Sequence, residues 1–317
     1  MRSYIIRRLL LMIPSLWIAS LILFFAIRLI PGSIIDIMAA EMITFTDMDK
    51  AAIEQQLGLD QPAITQYIEW IGNIVLHFDF GDSLWGSGPV IEIIADKFPV
   101  TLELGFLGLL VSQLIAIPIG VYSALRQDTA GDYITRSYAI LCVALPVFWV
   151  GTLIVIFPSI WWGWSPSLRL YTFAEDPLAN LEMFIVPAVI LGMSLAGITM
   201  RMTRNMMLEV LRQDYIRTAW AKGLSERVVV IRHALKNALI PIIITVGIQL
   251  GVLIGGTVVI EQIFGLPGMG RLLVDSVTLR DYTIITGVML FFGLGMSLIN
   301  LVVDLTYSFL DPRIRYD

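Results

Sequence analysis

The chain has 317 residues, of which 57% are apolar and only 15% charged, with a formal net charge of −5. Soluble domains carry about 25% charged residues. The long uncharged stretches here exclude a water-soluble fold of this length and indicate an all-α integral membrane protein. No basic face of the kind a nucleic-acid binder needs is present. A single cysteine, Cys142, excludes an intrachain disulfide and C-x-x-C metal spacing.

Six segments are long and apolar enough to cross a bilayer as helices: 9–30, 100–125, 137–157, 184–200, 239–260 and 283–309. The first follows Arg7 and Arg8 and is succeeded by Pro31-Gly32, with no small-residue cleavage site. It therefore reads as an uncleaved span and not as a signal peptide. The sequence divides into an N-terminal segment with the first span (1–30), an outer loop or cap (31–99) and a five-helix core (100–317).

The outer segment is acidic, with eleven Asp and Glu residues against Lys50 and Lys97. Thr46 with Asp49 suits the start of one helix, and Gly58 its end. Asp60 and Pro62 suit the start of a second. Ile64, Tyr67, Ile68, Ile71, Ile74, Val75 and Phe78 fall on one face of that second helix. A small folded cap and a solvated loop bearing an interfacial helix both fit this pattern.

Lys and Arg set the orientation. Arg2, Arg7, Arg8, Arg126, Arg136, eight residues from Arg201 to Lys236, Arg313 and Arg315 fall on one side. The other side holds Lys50, Lys97, Arg169, Arg271 and Arg280, with Arg28 near the outer end of the first span. The positive-inside rule then places both termini in the cytoplasm. The inner loop 201–238 reads as a short helix over 214–222, a stop at Gly223 and a second helix capped by Ser225. A docking surface and a basic loop lying on anionic headgroups both fit this loop.

Several chemistries are absent. His77 and His233 lie on opposite sides of the membrane, no H-E-x-x-H occurs, and Gly192-Met193-Ser194 lacks the rest of a nucleophile elbow. No phosphate-binding G-x-x-x-x-G-K-[ST] loop occurs, so any ATP must be hydrolysed by another chain. The expectation is a non-enzyme. Glu103, Glu261 and Asp304 are ionisable residues toward span ends, and Asn300 shares a helix face with Asp304. Intramembrane ionisable groups are default candidates for a pathway or gate, so Glu261, Asn300 and Asp304 are kept as such. No charge sits clearly at midplane, which weakens an ion-coupled carrier.

Asp214-Tyr215-Ile216-Arg217-Thr218-Ala219-Trp220-Ala221-Lys222-Gly223-Leu224, with Arg232-His233-Ala234-Leu235-Lys236-Asn237-Ala238 downstream, resembles the coupling (EAA) segment of binding-protein-dependent ABC importer permeases. The likeness is to the oligopeptide/dipeptide/nickel branch, and to its first, B-type permease. It extends through Tyr4-Ile5-Ile6-Arg7-Arg8, Leu57-Gly58-Leu59-Asp60-Gln61-Pro62, Phe80-Gly81-Asp82-Ser83, Pro146-Val147-Phe148-Trp149, Glu261-Gln262-Ile263-Phe264-Gly265-Leu266-Pro267-Gly268 and Asp311-Pro312-Arg313. Arg217-Thr218-Ala219 stands where the wider superfamily has Glu-Ala-Ala. Ser33 and Ala144 stand where aspartate and serine are common.

The resemblance implies a type I ABC importer permease with six spans in the prokaryotic cell (inner or plasma) membrane. It implies a homologous second permease, two cytoplasmic ATP-binding subunits that carry ATP and Mg, and an extracytoplasmic substrate-binding protein, with no cofactor in this chain. Di- or oligopeptides are the expected cargo. Nickel chelates, glutathione or another small solute are alternatives, as is a secondary carrier or channel. ATPase coupling is expected at Tyr215, Arg217, Thr218, Ala219, Ala221, Lys222, Gly223, Leu224 and Ser225. Within that set Ala219 and Ala221 keep the helix slim, Arg217 and Lys222 meet acidic groups, and Gly223 permits a tight reversal.

Overall fold

Hydropathy alone dictates long helices, and the computed structural model is built from them. It describes residues 2–29, 60–86, 88–167 and 169–310, with side chains placed from Ile6 to Thr306. Five helices are long and apolar enough to cross a membrane, or six if one bent pair counts as a span. Among the described residues the strand content is an isolated antiparallel bridge between Asp82 and Pro89. The helix expected between Thr46 and Gly58 lies outside the described residues, as do Pro31, Gly32, Ser33, Arg313 and Arg315. The chain divides into two compact units, residues 1–99 with 267–298, and residues 100–266 with 299–317.

In the first unit, α1 (Arg2–Arg28) buries Ser20, Phe24 and Ile27 but exposes Leu10, Ile13, Trp17, Ile18 and Ile22. Such an apolar exterior suits lipid. α2 (Ala63–His77) starts after Pro62, as expected, and ends at Phe78 in the left-handed conformation. It packs on the outer part of α1. The ring centroids of Phe24 and Tyr67 are 5.3 Å apart, those of Phe24 and Trp70 5.6 Å apart, and the Ser20 and Tyr67 hydroxyls are 2.9 Å apart. Arg28 donates to Gln66 Oε1 at 2.6 Å and lies 3.4 Å from the Phe24 ring centroid, which partners its charge.

The expected single apolar face of α2 is split. Tyr67 and Ile74 turn inward, whereas Ile64, Ile68 and Val75 stay exposed. The rest of this unit includes the start of α3 (Val90–Leu125), α9 (Met269–Leu279) and the first turns of α10 (Tyr282–Leu310). Val90, Ile94, Met269, Ile284 and Val288 form its core. Buried Asp281 accepts from Ser83 Oγ at 2.6 Å and from the Leu84 and Ile284 amides at 3.1 Å, which fixes the loop before α3 onto the start of α10.

In the second unit, α6 (Pro177–Leu211) is the central element. Asp176 caps it by accepting from the Leu178 and Ala179 amides at 3.1 Å, and Pro177 occupies the first turn. The apolar window 184–200 marked only the middle of this helix. Its Phe184, Ala188 and Leu191 share one core cluster with Leu104, Leu253 and Ile260. α3 approaches α6 so closely that a Cβ on Gly192 would sit 2.6 Å from the Gly108 carbonyl oxygen. Small residues permit such helix contacts in membranes.

The third expected span, 137–157, is not one straight helix. α4 (Ala130–Ala144) and α5 (Val147–Trp162) meet at 91°. Pro146 disfavours helical geometry at the residue before it, and Leu145 is extended at φ −80°, ψ 123°. At the far end of α5, Trp161, Trp162 and Trp164 are exposed, as in an interfacial aromatic belt. Cys142 is buried and free, and Ser194 bonds back to the Leu191 carbonyl at 2.8 Å, which is a packing role.

Candidate coupling surface

α6 ends at Leu211 and is followed by the eight-residue α7 (Asp214–Ala221). A helix this short is not stable in water by itself, so its position depends on what it packs against. Ile216 and Ala219, three apart and on one face, are buried. They sit among Ala124 of α3, Met207 of α6, and Val229, Val230, Ala234 and Ala238 of the helix that follows. That helix, α8 (Glu226–Phe264), is wound as a π-helix over Val229–Leu235. The wider turn brings Val229, Val230 and Ala234 into the same core.

Polar bonds reinforce the seat. Asn237 Nδ2 donates to Tyr215 Oη at 2.7 Å and to the His233 carbonyl at 3.1 Å. Thr218 Oγ1 donates to the Asp214 carbonyl at 3.0 Å. Arg217 meets Asp214 at 3.4 Å with both side chains largely exposed, a pair worth little to stability.

The remaining coupling candidates face outward. Tyr215, Arg217, Thr218, Ala221, Lys222, Gly223, Leu224 and Ser225 are exposed. Ala219 is not: it belongs to the seat, where a larger side chain would lift the helix. Gly223 has φ +75°, and a Cβ there would meet nothing within 4 Å. Its amide bonds to the Trp220 carbonyl at 2.9 Å, closing the helix end. Ser225 stands at the N-cap of α8, but its side chain makes no capping bond; its carbonyl accepts from Val228 and Val229 instead.

Sequence reasoning passed over Trp220, which is 45% exposed beside Arg217 and Lys222. An aromatic outside the two inward positions of an otherwise polar helix was the available signal. It also passed over Asp132. That carboxylate is fully buried, forms two 2.8 Å bonds with Arg204 of α6, and accepts from Ser123 of α3 at 2.5 Å.

The pathway candidates differ in burial. Glu261 is fully buried in α8 and accepts from Thr101 Oγ1 at 2.7 Å. Asn300 is exposed and Asp304 half-buried, both on α10. Elsewhere in the second unit a neutral polar cluster lies between helices. Gln249 donates to the Leu195 carbonyl and Thr199 Oγ1, both at 3.0 Å, and Gln113 donates to Gln249 Oε1 at 3.4 Å. Among the described residues no group of three His, Cys, Asp or Glu side chains is placed to hold a metal ion.

Residues 116–316 match the family model described as binding-protein-dependent transport system inner membrane component, and residues 1–105 match the N-terminal model of the same system. A Brucella abortus (strain 2308) protein, provisionally named a peptide transport system permease protein, is 41% identical over the full length of both chains. The glutathione transport system permease protein GsiC of Escherichia coli (strain K12) is 38% identical over the full length of both. In fold, the chain is similar to the inward-facing MetNI methionine ABC transporter. The TM-score is 0.57 at 18% identity, covering 70% of this chain and 97% of the other.

Proposed function

Because this chain belongs to the family of binding-protein-dependent transport system inner membrane components, we propose that it forms half of a peptide-conducting pathway and couples to separate ATPases through α7. Membership makes it a non-catalytic, multi-pass permease subunit of an ABC importer. The proposed partners are a homologous permease, two ATP-binding subunits that hold ATP and Mg, and an extracytoplasmic binding protein. The observation that carries the coupling role is the two-sided character of α7. Ile216 and Ala219 are packed into the core, while Tyr215, Arg217, Thr218, Trp220 and Lys222 are exposed on the side that the positive residues place in the cytoplasm. A short helix held in this way presents a rigid knob to an acidic or apolar groove and passes displacement to the helices beneath it.

Peptides are the favoured cargo because the Brucella relative carries a peptide-transport name. Glutathione, itself a small peptide, is the second reading on the strength of the GsiC likeness. Gly223→Arg tests the coupling role. A Cβ at Gly223 meets nothing within 4 Å, and the left-handed backbone adds about 1–2 kcal/mol of strain. The expected result is normal membrane insertion, loss of ATPase co-purification and loss of uptake. Normal uptake by this variant refutes the assignment. Competition between a labelled dipeptide and glutathione for uptake by the wild-type complex decides between the cargoes.

A further inference from the structure

We propose that Asp132 and Arg204 are positioning residues for energy coupling: their buried ion pair joins α3, α4 and α6 into one body directly above the seat of α7. This rests on the coupling role argued for α7. Arg204 Nε and one terminal nitrogen reach the two Asp132 oxygens, each at 2.8 Å. Ser123 Oγ donates to one of those oxygens at 2.5 Å, and the Asp128 amide donates to the other at 3.1 Å. The carboxylate thereby gathers bonds from the end of α3, the turn after it, and α6, while itself belonging to the first turn of α4.

The location ties the pair to α7. Ala124, next to Ser123, and Met207, three residues beyond Arg204, both line the seat that holds Ile216 and Ala219. Apolar contacts of that kind resist separation and compression but carry no hydrogen-bond directionality, so they still permit small sliding of packed helices. A bidentate fork has one geometry and forbids sliding. A buried ion pair gives little net stability over an apolar replacement. What it supplies here is a fixed register between three helices, and α4 is the one that the α7 seat does not itself touch. With the pair intact, displacement of α7 carries α4 along with α3 and α6. With it broken, the load is lost as slip.

The test uses the whole complex in proteoliposomes, reading ATP hydrolysis, binding-protein stimulation, uptake and thermal stability together. Arg204→Lys keeps the charge and the burial but loses the fork. Its expected behaviour is a melting temperature and ATPase rate close to wild type, with uptake per ATP reduced about tenfold. The neutral pair Asp132→Asn with Arg204→Gln avoids an unpaired buried charge and is expected to lose more. Arg201→Lys, exposed on the same helix, is expected to change nothing. Unchanged uptake per ATP in Arg204→Lys overturns the inference, as does a fall of uptake and ATPase rate in proportion. If the neutral pair does not assemble, Arg204→Lys alone decides. If the wild-type chain recruits no ATPase subunit, the coupling role itself fails, and that outcome is seen before any variant is read.

Discussion

Replacing Ile216 by alanine removes the largest side chain that α7 contributes to its seat. Ile216 is fully buried, and deleting its three outer carbons costs about 2–5 kcal/mol through lost transfer energy and the cavity left behind. The cost falls on one eight-residue helix that has little stability of its own. It is therefore expressed as local detachment of α7, with the spanning helices left folded. At about 1.4 kcal/mol per factor of ten, the detached population rises roughly 30- to 4,000-fold. Hydrogen exchange in detergent or nanodiscs measures this directly. The peptide covering 214–222 is expected to exchange faster by at least the lower figure, while peptides from α6 and α8 keep wild-type protection. Trp220→Ala, on the exposed side of the same helix, is expected to leave exchange unchanged and to weaken ATPase recruitment instead. Wild-type exchange of α7 in Ile216→Ala would refute the reasoning, because α7 would then be held by something other than its apolar seat. Equal acceleration across α6 would refute it too, since α7 would then not be a separable element.

Two further outcomes follow from packing. Gly120→Ala puts a Cβ 2.6 Å from Thr203 Cβ and 2.9 Å from the Met200 carbonyl, where backbone must move, whereas Gly255→Ala meets nothing within 4 Å. Thermal unfolding is expected to fall by several degrees for the first, consistent with an overpacking cost of about 1–3 kcal/mol, and to hold or rise slightly for the second. On α2, the exposed Ile64, Ile68 and Val75 lie beside the face that packs on α1, with Thr65, Glu69 and Asn73 on the far side. This is the arrangement of a helix lying in the membrane interface. Fluorophores on cysteines at 64 and 68 are expected to be quenched by brominated lipid, and those at 69 and 73 by aqueous iodide; the reverse pattern removes the interfacial placement.

Much of the fold is legible because lipid imposes a single rule, about 20 apolar residues per crossing helix. That rule located α1, α3, α6, α8 and α10. It failed where the cause was not hydropathy. The 91° break at Leu145 and Pro146 interrupts an apolar run of ordinary length, and only the proline marks it. The real length of α6 was hidden because its ends carry polar residues and its caps, Asp176 and Pro177, lie eight and seven residues before the apolar window. The π-helical stretch at Val229–Leu235 has no period that distinguishes it from an α-helix over seven residues. On the coupling surface, Gly223 was legible as a helix stop, but the inward turn of Ala219 was not. An alanine fits either side of a helix, and its burial follows from Ile216 three residues earlier. The Asp132–Arg204 pair spans 72 positions, a separation at which a single sequence offers no pairing signal.

Under the coupling role proposed for α7, free energy from nucleotide enters this chain through contact with a separate subunit. Contact with a helix as small as α7 gives a modest force unless the helix is stiffly mounted. Three features of the mount point the same way. The seat is lined by small and branched residues, Ala124, Val229, Val230, Ala234 and Ala238, with Met207 filling between them. Close packing of this kind has low compressibility and transmits displacement instead of absorbing it. The end of α7 is closed by Gly223 with no side chain to hinder an approaching partner. One turn deeper, the Asp132–Arg204 fork ties α4 to α6 beside that seat. A surface loop lying on headgroups needs none of these. The basic character of 201–238 fits the positive-inside rule for orientation, and the proposed docking role draws on the exposed Arg217 and Lys222 together with the buried seat of Ile216 and Ala219.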